Sequence, residues 1–275
     1  MAEQPRLRLN DGNDFLQFGL GVWQVPNAEA AGVVTTAIEA GYRAIDTAAG
    51  YNNEEGVGAA IAAAAVPRRE LTITTKLRNE DQGYDETLRA FDASMKRLRL
   101  EQLDLYLIHW PLPQRGAYLD TWRAFIKLHE EGRIRSIGVS NFTPVHLTRL
   151  IEETGITPVV NQIELHPRFQ QKKQRAFHAS KGIATQCWSP LGQGTILTDP
   201  TIGELAKKYG KTPAQVIIRW HLDNGLIVIP KSVTPARIRE NIAVFDFELA
   251  AGDIDRIDAL DDASGRIGPD PDRFG

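Results

Sequence analysis

The sequence predicts an α/β protein, a (β/α)8 TIM barrel, and three observations point there. Short apolar segments alternate with longer amphipathic ones along nearly all of the 275 residues. Eight such apolar segments can be marked, and most are continuous apolar runs, as in parallel strands buried on both faces. The rival doubly wound sheet usually carries a G-x-G-x-x-G first turn. Gly19-Leu20-Gly21 begins that motif, but Gln24 stands at its third glycine position and no other stretch completes it.

The elements follow in order. "LRLNDGNDFLQF" reads as a β-hairpin, with Asn10-Asp11-Gly12-Asn13 as its turn, expected to close the barrel bottom. Barrel strands are expected at 19–23, 42–46, 71–76, 103–109, 134–140, 159–163, 183–188 and 226–231. Helices are expected at 28–40, 54–65, 86–100, 118–130, 144–153, 170–181, 213–223 and 235–242. Thr143-Pro144, Thr212-Pro213 and Thr234-Pro235 each offer an N-cap hydroxyl and a proline at the first helical position. Gly41, Gly132, Gly155, Gly182 and Gly210 suit helix C-caps. No linker or low-complexity tract divides the chain, so residues 1–275 read as a single barrel domain with a C-terminal loop over the active site.

Composition narrows the function classes. Hydrophobic residues make up 42%, charged residues 24%, and the net charge is −3. That balance favours neither nucleic acid nor an anionic membrane as partner. The one cysteine, Cys187, excludes an intrachain disulfide and a thiolate metal cluster. "MAEQPRLRLN" lacks the apolar core of a secretory signal, and the longest apolar run, 59–66, is far short of a membrane span. The expectation is a soluble, cytoplasmic monomer acting on a small molecule.

A barrel enzyme works at the C-terminal ends of its strands. Asp46 ends the second expected strand, Lys76 the third and His109 the fourth, and Tyr51 follows in the loop after the second. Singly, each has an ordinary structural reading: a turn cap, a solvent-reaching lysine, a packed histidine, a loop tyrosine. Together at successive strand ends they form a constellation. A buried ammonium needs a counter-ion, which Asp46 supplies. An ammonium beside a phenol favours phenolate and lowers its pKa, so Tyr51 can donate a proton to an oxygen gaining charge. A neutral imidazole can orient that oxygen. Carbonyl reduction uses such a set, given a hydride.

"DTAAGYNNEEGVGAAI" resembles the first signature of the aldo-keto reductases, D-T-A-x-x-Y-x-N-E. "YLIHWP" resembles the strand carrying their histidine, "GVSNF" and "VVNQIELHP" their central signature, and "IPKS" with "RIREN" their third. The likeness runs from about residue 6 to residue 262. Through "NEEGVGAAI", "WSPLGQG" and "GKTPAQ" it looks most like the bacterial 2,5-diketo-D-gluconate reductase branch. The resemblance implies a catalytic tetrad of Asp46, Tyr51, Lys76 and His109, with Tyr51 the general acid. It implies NADPH bound across the barrel mouth, and no metal.

The cofactor segments also read physically. Ser140, Asn141 and Gln162 offer a hydroxyl and two amides for a carboxamide. Trp188 offers an indole face for a nicotinamide ring, or is simply a core aromatic. Asn141 could instead cap the helix opened by Thr143-Pro144. "SPLGQG", residues 189–194, has free backbone N–H groups that suit a pyrophosphate. Lys231 ends the last strand, and Arg237 lies in the first turn of a helix, where an anion is favoured. The resemblance implies that Lys231, Ser232 and Arg237 hold the 2′-phosphate of NADP in preference to NAD, with Glu240 and Asn241 near the adenine. It adds Ser189, Leu191, Gln193, Gly194 and Val233 to the cofactor contacts.

Trp23 and Trp110 are expected to line the substrate pocket with His109. Two departures stand out. Related reductases often read T-K-L-W-N where this chain has "TKLRN", so Arg78 replaces an aromatic wall and suits an anionic substrate such as a keto acid. Asn52 stands where close relatives often have glycine. Two other functions remain as alternatives: a lyase using Lys76 as Schiff base, and a nucleotide-binding regulatory protein with little turnover.

Overall fold

In the computed structural model, which describes residues 4–275, eight parallel strands curl into a closed barrel. The hairpin comes first, β1 (Arg6–Arg8) and β2 (Asp14–Leu16), paired antiparallel with Leu7 opposite Phe15. The barrel strands are β3 (Leu20–Gly21), β4 (Ala44–Asp46), β5 (Thr72–Leu77), β6 (Leu103–Ile108), β7 (Ile134–Ser140), β8 (Val160–Glu164), β9 (Ala184–Trp188) and β10 (Ile227–Val228). They pair in sequence order. Bridges from Phe18 to Val228 and from Gly21 to Lys231 join the last strand to the first.

The hairpin sits at the N-terminal ends of the strands. Leu9 and Phe15 pack onto Leu105, Leu107, Val159, Val160 and Ile227 inside the barrel. Ser136 donates to Asp11 Oδ2 at 2.6 Å, and Asn10 donates to the Pro158 carbonyl at 3.1 Å. The bottom is therefore closed, and any site must open at the other rim.

Ten helices surround the barrel among the described residues. The first six are α1 (Asn27–Glu39), α2 (Glu54–Ala63), α3 (Tyr84–Leu98), α4 (Tyr118–Glu130), α5 (Pro144–Thr154) and α6 (Lys172–Ser180). The rest are α7 (Pro200–Tyr209), α8 (Pro213–Asp223), α9 (Pro235–Ile242) and α10 (Ala251–Asp258). Their inner faces bury side chains such as Val34, Phe91, Trp122 and Phe125 against the sheet. The five glycines expected at helix ends all take positive φ, between 62° and 106°.

Several expected boundaries move. β3, β4 and β10 are shorter than expected, although backbone bonds to the neighbouring strands continue past their ends, from Val22 to Asp46, Gly21 to Pro230 and Thr72 to Arg43. β8 runs one residue past the expected end, to Glu164, and Gln162 lies at its middle. Two helices, α7 and α10, lie outside the eight expected. α7 uses the same starting device as the others: Asp199 accepts from the Thr201 amide and Pro200 follows. Thr212 caps α8, accepting from the Gln215 amide while its own amide donates back to Gln215. Thr234 does not cap α9 with its side chain. Ser232 Oγ accepts from the Thr234 amide instead, at 3.2 Å.

Close strand approach explains one glycine. A Cβ on Gly138 would lie 2.7 Å from the Val160 carbonyl oxygen and 2.8 Å from Leu107 Cδ2. Gly138→Ala is expected to cost about 1–3 kcal/mol by overpacking. Chemical denaturation should show a lower midpoint with an unchanged slope, and an unchanged midpoint would refute the packing argument.

Candidate active site

The open rim carries a cavity of about 650 Å³. Asp46, Tyr51, His109, Trp110 and Arg78 line it, with Trp23, Ser140, Asn141, Gln162, Trp188, Ser189, Gln193 and Lys231. Residues from successive strand ends and the loops beyond them therefore meet in one space. Leu191, Gly194, Ser232, Val233, Arg237, Glu240 and Asn241 do not line it. Leu191 and Gly194 fall on the loop after β9, Ser232 and Val233 on the segment between β10 and α9, and Arg237, Glu240 and Asn241 on α9 itself.

Lys76 is fully buried, and Asp46 is 3% exposed. Lys76 Nζ donates to Asp46 Oδ1 at 2.5 Å, to the Thr47 carbonyl at 2.9 Å and to Tyr51 Oη at 3.3 Å. All three ammonium protons thus have partners. The second Asp46 oxygen accepts from Gln162 at 2.8 Å, and Gln162 also donates to Gln186. Gln162 therefore reaches from inside β8 to hold the carboxylate.

Burial works against charge on both members of the pair. For Lys76 it is outweighed by the Asp46 carboxylate and then by Tyr51, which hold the ammonium above its ordinary pKa. The phenol departs from expectation. Burial raises the Tyr51 pKa, Lys76 lowers it and Asp46 raises it, and the net direction is upward. Lys76 thus limits a rise that burial imposes. Tyr51 stays protonated at neutral pH, the form a proton donor requires.

His109 packs edge-on against Tyr51, ring centroids 5.6 Å apart. Burial first, and Lys76 second, push its pKa down to about 3. Its imidazole is neutral and can donate one hydrogen bond and accept another. The His109 carbonyl accepts from Asn141 at 2.9 Å.

Asn141 takes a left-handed conformation, φ 64°, one residue beyond β7. Its amide donates to Ser140 Oγ and its oxygen accepts from the Trp188 indole at 2.8 Å. It does not cap α5. It fixes the edge of the Trp188 ring, leaving that ring against the cavity. Ser189 and Gln193 both have positive φ, so the loop after β9 is tightly curled. Lys231 and Arg237 are exposed and, among the described residues, pair with no carboxylate. Glu240 accepts from Thr212 Oγ1 at 2.8 Å. Trp23 is 44% exposed at the cavity edge, whereas Trp110 is buried under Phe274, centroids 4.5 Å apart.

The tail contributes residues that the sequence pattern does not single out. Ile267, Gly268 and Pro269 line the cavity. Buried Glu164 accepts from the Ile267 amide at 2.6 Å and from the Gly268 amide at 2.8 Å, one with each oxygen. A Cβ on Gly268 would lie 2.4 Å from Trp188 Cη2. The tail is thus strapped across the indole. Glu164 at the end of an apolar strand is the available signal, of the same kind as Asp46.

A closed barrel with a buried ammonium–carboxylate pair under a phenol and a neutral imidazole is the architecture of a (β/α)8 oxidoreductase. The sequence profile of the Aldo/keto reductase family matches residues 15–262. An aldo-keto reductase of Mycolicibacterium smegmatis is 59% identical over 270 residues, 98% of each chain. The methylglyoxal reductase DkgA of Salmonella typhimurium is 54% identical over 277 residues, with both chains fully covered. Among solved structures, a mutant of Gox0644 in complex with NADPH aligns with a TM-score of 0.97 at 51% identity over all of both chains. The chain belongs to the Aldo/keto reductase family.

The strap gives a prediction. Glu164→Gln turns one acceptor oxygen into a donor facing a backbone amide, and one charge-assisted bond is lost, worth about 1.5–3 kcal/mol. Limited proteolysis should cut the tail beyond residue 262 faster, with barrel unfolding nearly unchanged. An unchanged cleavage rate would mean that the tail is held by its other contacts.

Proposed function

We propose that the protein reduces the carbonyl of small aldehydes and ketones to alcohols, with Tyr51 as general acid and NADPH as reductant. The observation that carries this reading is the three-way contact of Lys76 with Asp46, Thr47 and Tyr51 at the cavity floor. NADPH, when bound, supplies the hydride. The residues present fit such a group: an indole at the cavity wall, the polar side chains of Ser140, Asn141 and Gln162 beside it, a curled loop, and the cations Lys231 and Arg237, which among the described residues pair with no carboxylate.

Tyr51 hands its proton to the carbonyl oxygen as charge builds there. Lys76 stabilises the phenolate left behind, and Asp46 and Gln162 keep Lys76 charged and in position. Neutral His109 donates to the same oxygen and orients it. Trp23, Trp110 and Arg78 shape the substrate side. Ser140, Asn141, Gln162 and Trp188 would hold the nicotinamide end, and residues 189–194 the pyrophosphate. Lys231, Ser232 and Arg237 would hold the 2′-phosphate, with Val233 a further cofactor contact and Glu240 and Asn241 near the adenine. α-Dicarbonyls, keto sugars and keto acids are the substrate classes to assay first. The relative named a methylglyoxal reductase supports the first of these. A Schiff-base lyase needs a neutral lysine, and Lys76 is held charged. We read residues 1–275 as one barrel domain, acting as a cytoplasmic monomer.

Tyr51→Phe should lower kcat by about 10²–10⁴-fold while NADPH binding, read by fluorescence titration, is kept. Retained turnover would refute the assigned acid. Arg237→Ala should weaken NADPH binding roughly tenfold, through loss of a bidentate phosphate contact, and leave NADH binding nearly unchanged. Equal losses for both cofactors would remove the 2′-phosphate assignment. Because the acid must be protonated, reduction should persist through neutral pH and fall only as pH rises through the raised phenol pKa. His109, neutral down to about pH 3, should add no acid limb above that.

A further inference from the structure

Tyr51 is held from two sides by one short segment. It sits in the 3-10 turn Ala49–Tyr51, which leaves β4 and ends at Asn52. Lys76 reaches its phenol from below. Two residues further on, Arg78 Nη2 donates to the Ala49 carbonyl at 3.0 Å and to the side-chain oxygen of Asn52. The backbone N–H of Asn52 also donates to the Ala49 carbonyl, at 3.3 Å, which closes the turn. Asn52 has φ 56°, a left-handed conformation that asparagine tolerates better than most residues. Arg78 therefore bonds both the carbonyl that closes the turn and the side chain of the residue that closes it.

Resting on the reading of Tyr51 as proton donor, we infer that Arg78 is a positioning residue: with Asn52 it clamps the turn that sets the Tyr51 phenol over Lys76. Arg78 lines the cavity, so its alternative role is to bind a substrate carboxylate directly. The two roles differ in chemistry. A clamp acts on the acid and so on every substrate. A carboxylate ligand acts on anionic substrates alone and appears in KM. Electrostatics separates a third case, in which the guanidinium charge merely tunes the phenol, because loss of the Asn52 amide leaves that charge in place.

The variants are Arg78→Ala, Asn52→Gly, Asn52→Asp and the double Arg78→Ala/Asn52→Gly. Glycine keeps the left-handed backbone without the amide, and aspartate keeps an acceptor oxygen. The clamp predicts that Arg78→Ala and Asn52→Gly each lower kcat roughly tenfold to a hundredfold, the scale of a small misplacement of a catalytic group. The loss should be the same for a keto acid and its neutral ester. The double variant should lose little more than either single, since both break one unit. Asn52→Asp should retain most of kcat.

A second readout does not depend on turnover. Ultraviolet difference titration, with Tyr51→Phe as the blank among the six tyrosines, should show a displaced Tyr51 titration in both singles, because a drifted phenol changes both its burial and its distance from the ammonium. Retained turnover in Tyr51→Phe would refute Tyr51 as acid yet leave this titration as the judge of the clamp. An unshifted phenol overturns the clamp. So does a shift in Arg78→Ala without one in Asn52→Gly, or a KM rise confined to the keto acid.

Discussion

A lysine ammonium with no exposure to water is the constraint on which the site depends. A buried unpaired charge is costly enough that the protein must supply a counter-ion and fill every donor position. Lys76 obtains both from β4 and the residue after it, through Asp46 and the Thr47 carbonyl. Asp46 in turn needs its second oxygen satisfied, and Gln162 does that from the far side of the barrel. Gln162 is then fixed by Gln186 on the next strand. One charge thus ties together β4, β5, β8 and β9, and their relative heights follow from it. A slip of one residue in any of these strands would turn a polar side chain out of the interior.

The phenol is the last partner of that ammonium, and burial and charge act on it in opposite directions. Water exclusion lifts the Tyr51 pKa and keeps the proton on at neutral pH. Lys76 opposes that lift, so a phenolate formed there would have a cation 3.3 Å away. Burial alone would give a poor acid, and a cation in open water would give a screened one. The same dryness makes His109 neutral, so it can orient an oxygen without adding a charge that would repel Lys76.

Much of this is legible in the chain because it lies in short-range pattern. Strand count, the hairpin turn, the Thr-Pro starts and the strand-end positions of Asp46 and His109 need only neighbours in the chain. α7 lies outside the expected helices although Asp199-Pro200 repeats the device that marks others, with aspartate in place of threonine. α10 is short and half charged, with Ile254 and Ile257 as its only large apolar side chains, too brief a pattern to mark a helix. The strap of Ile267 and Gly268 on Glu164 is invisible for another reason: its partners are more than a hundred residues apart. The Tyr51 shift runs opposite to the expected direction because a spacing shows which charges are near and not how much water is excluded.

Arg78 and Asn52 show the same limit from the other side. Each departs from the reductase pattern, and taken separately each invites its own explanation: an anion site for one, an unexplained loop change for the other. They are 26 residues apart, and no period links them. Once the barrel sets β4 beside β5, the two side chains meet, and each supplies what the other lacks. A guanidinium at the cavity wall needs acceptors, and a left-handed turn residue with a side-chain amide oxygen offers one. Two departures that satisfy one another's hydrogen bonds are best understood as a single change, made in the segment that also carries the lysine. The structural consequence falls on Tyr51, inside the turn that they close, and on how firmly its phenol is held above the ammonium.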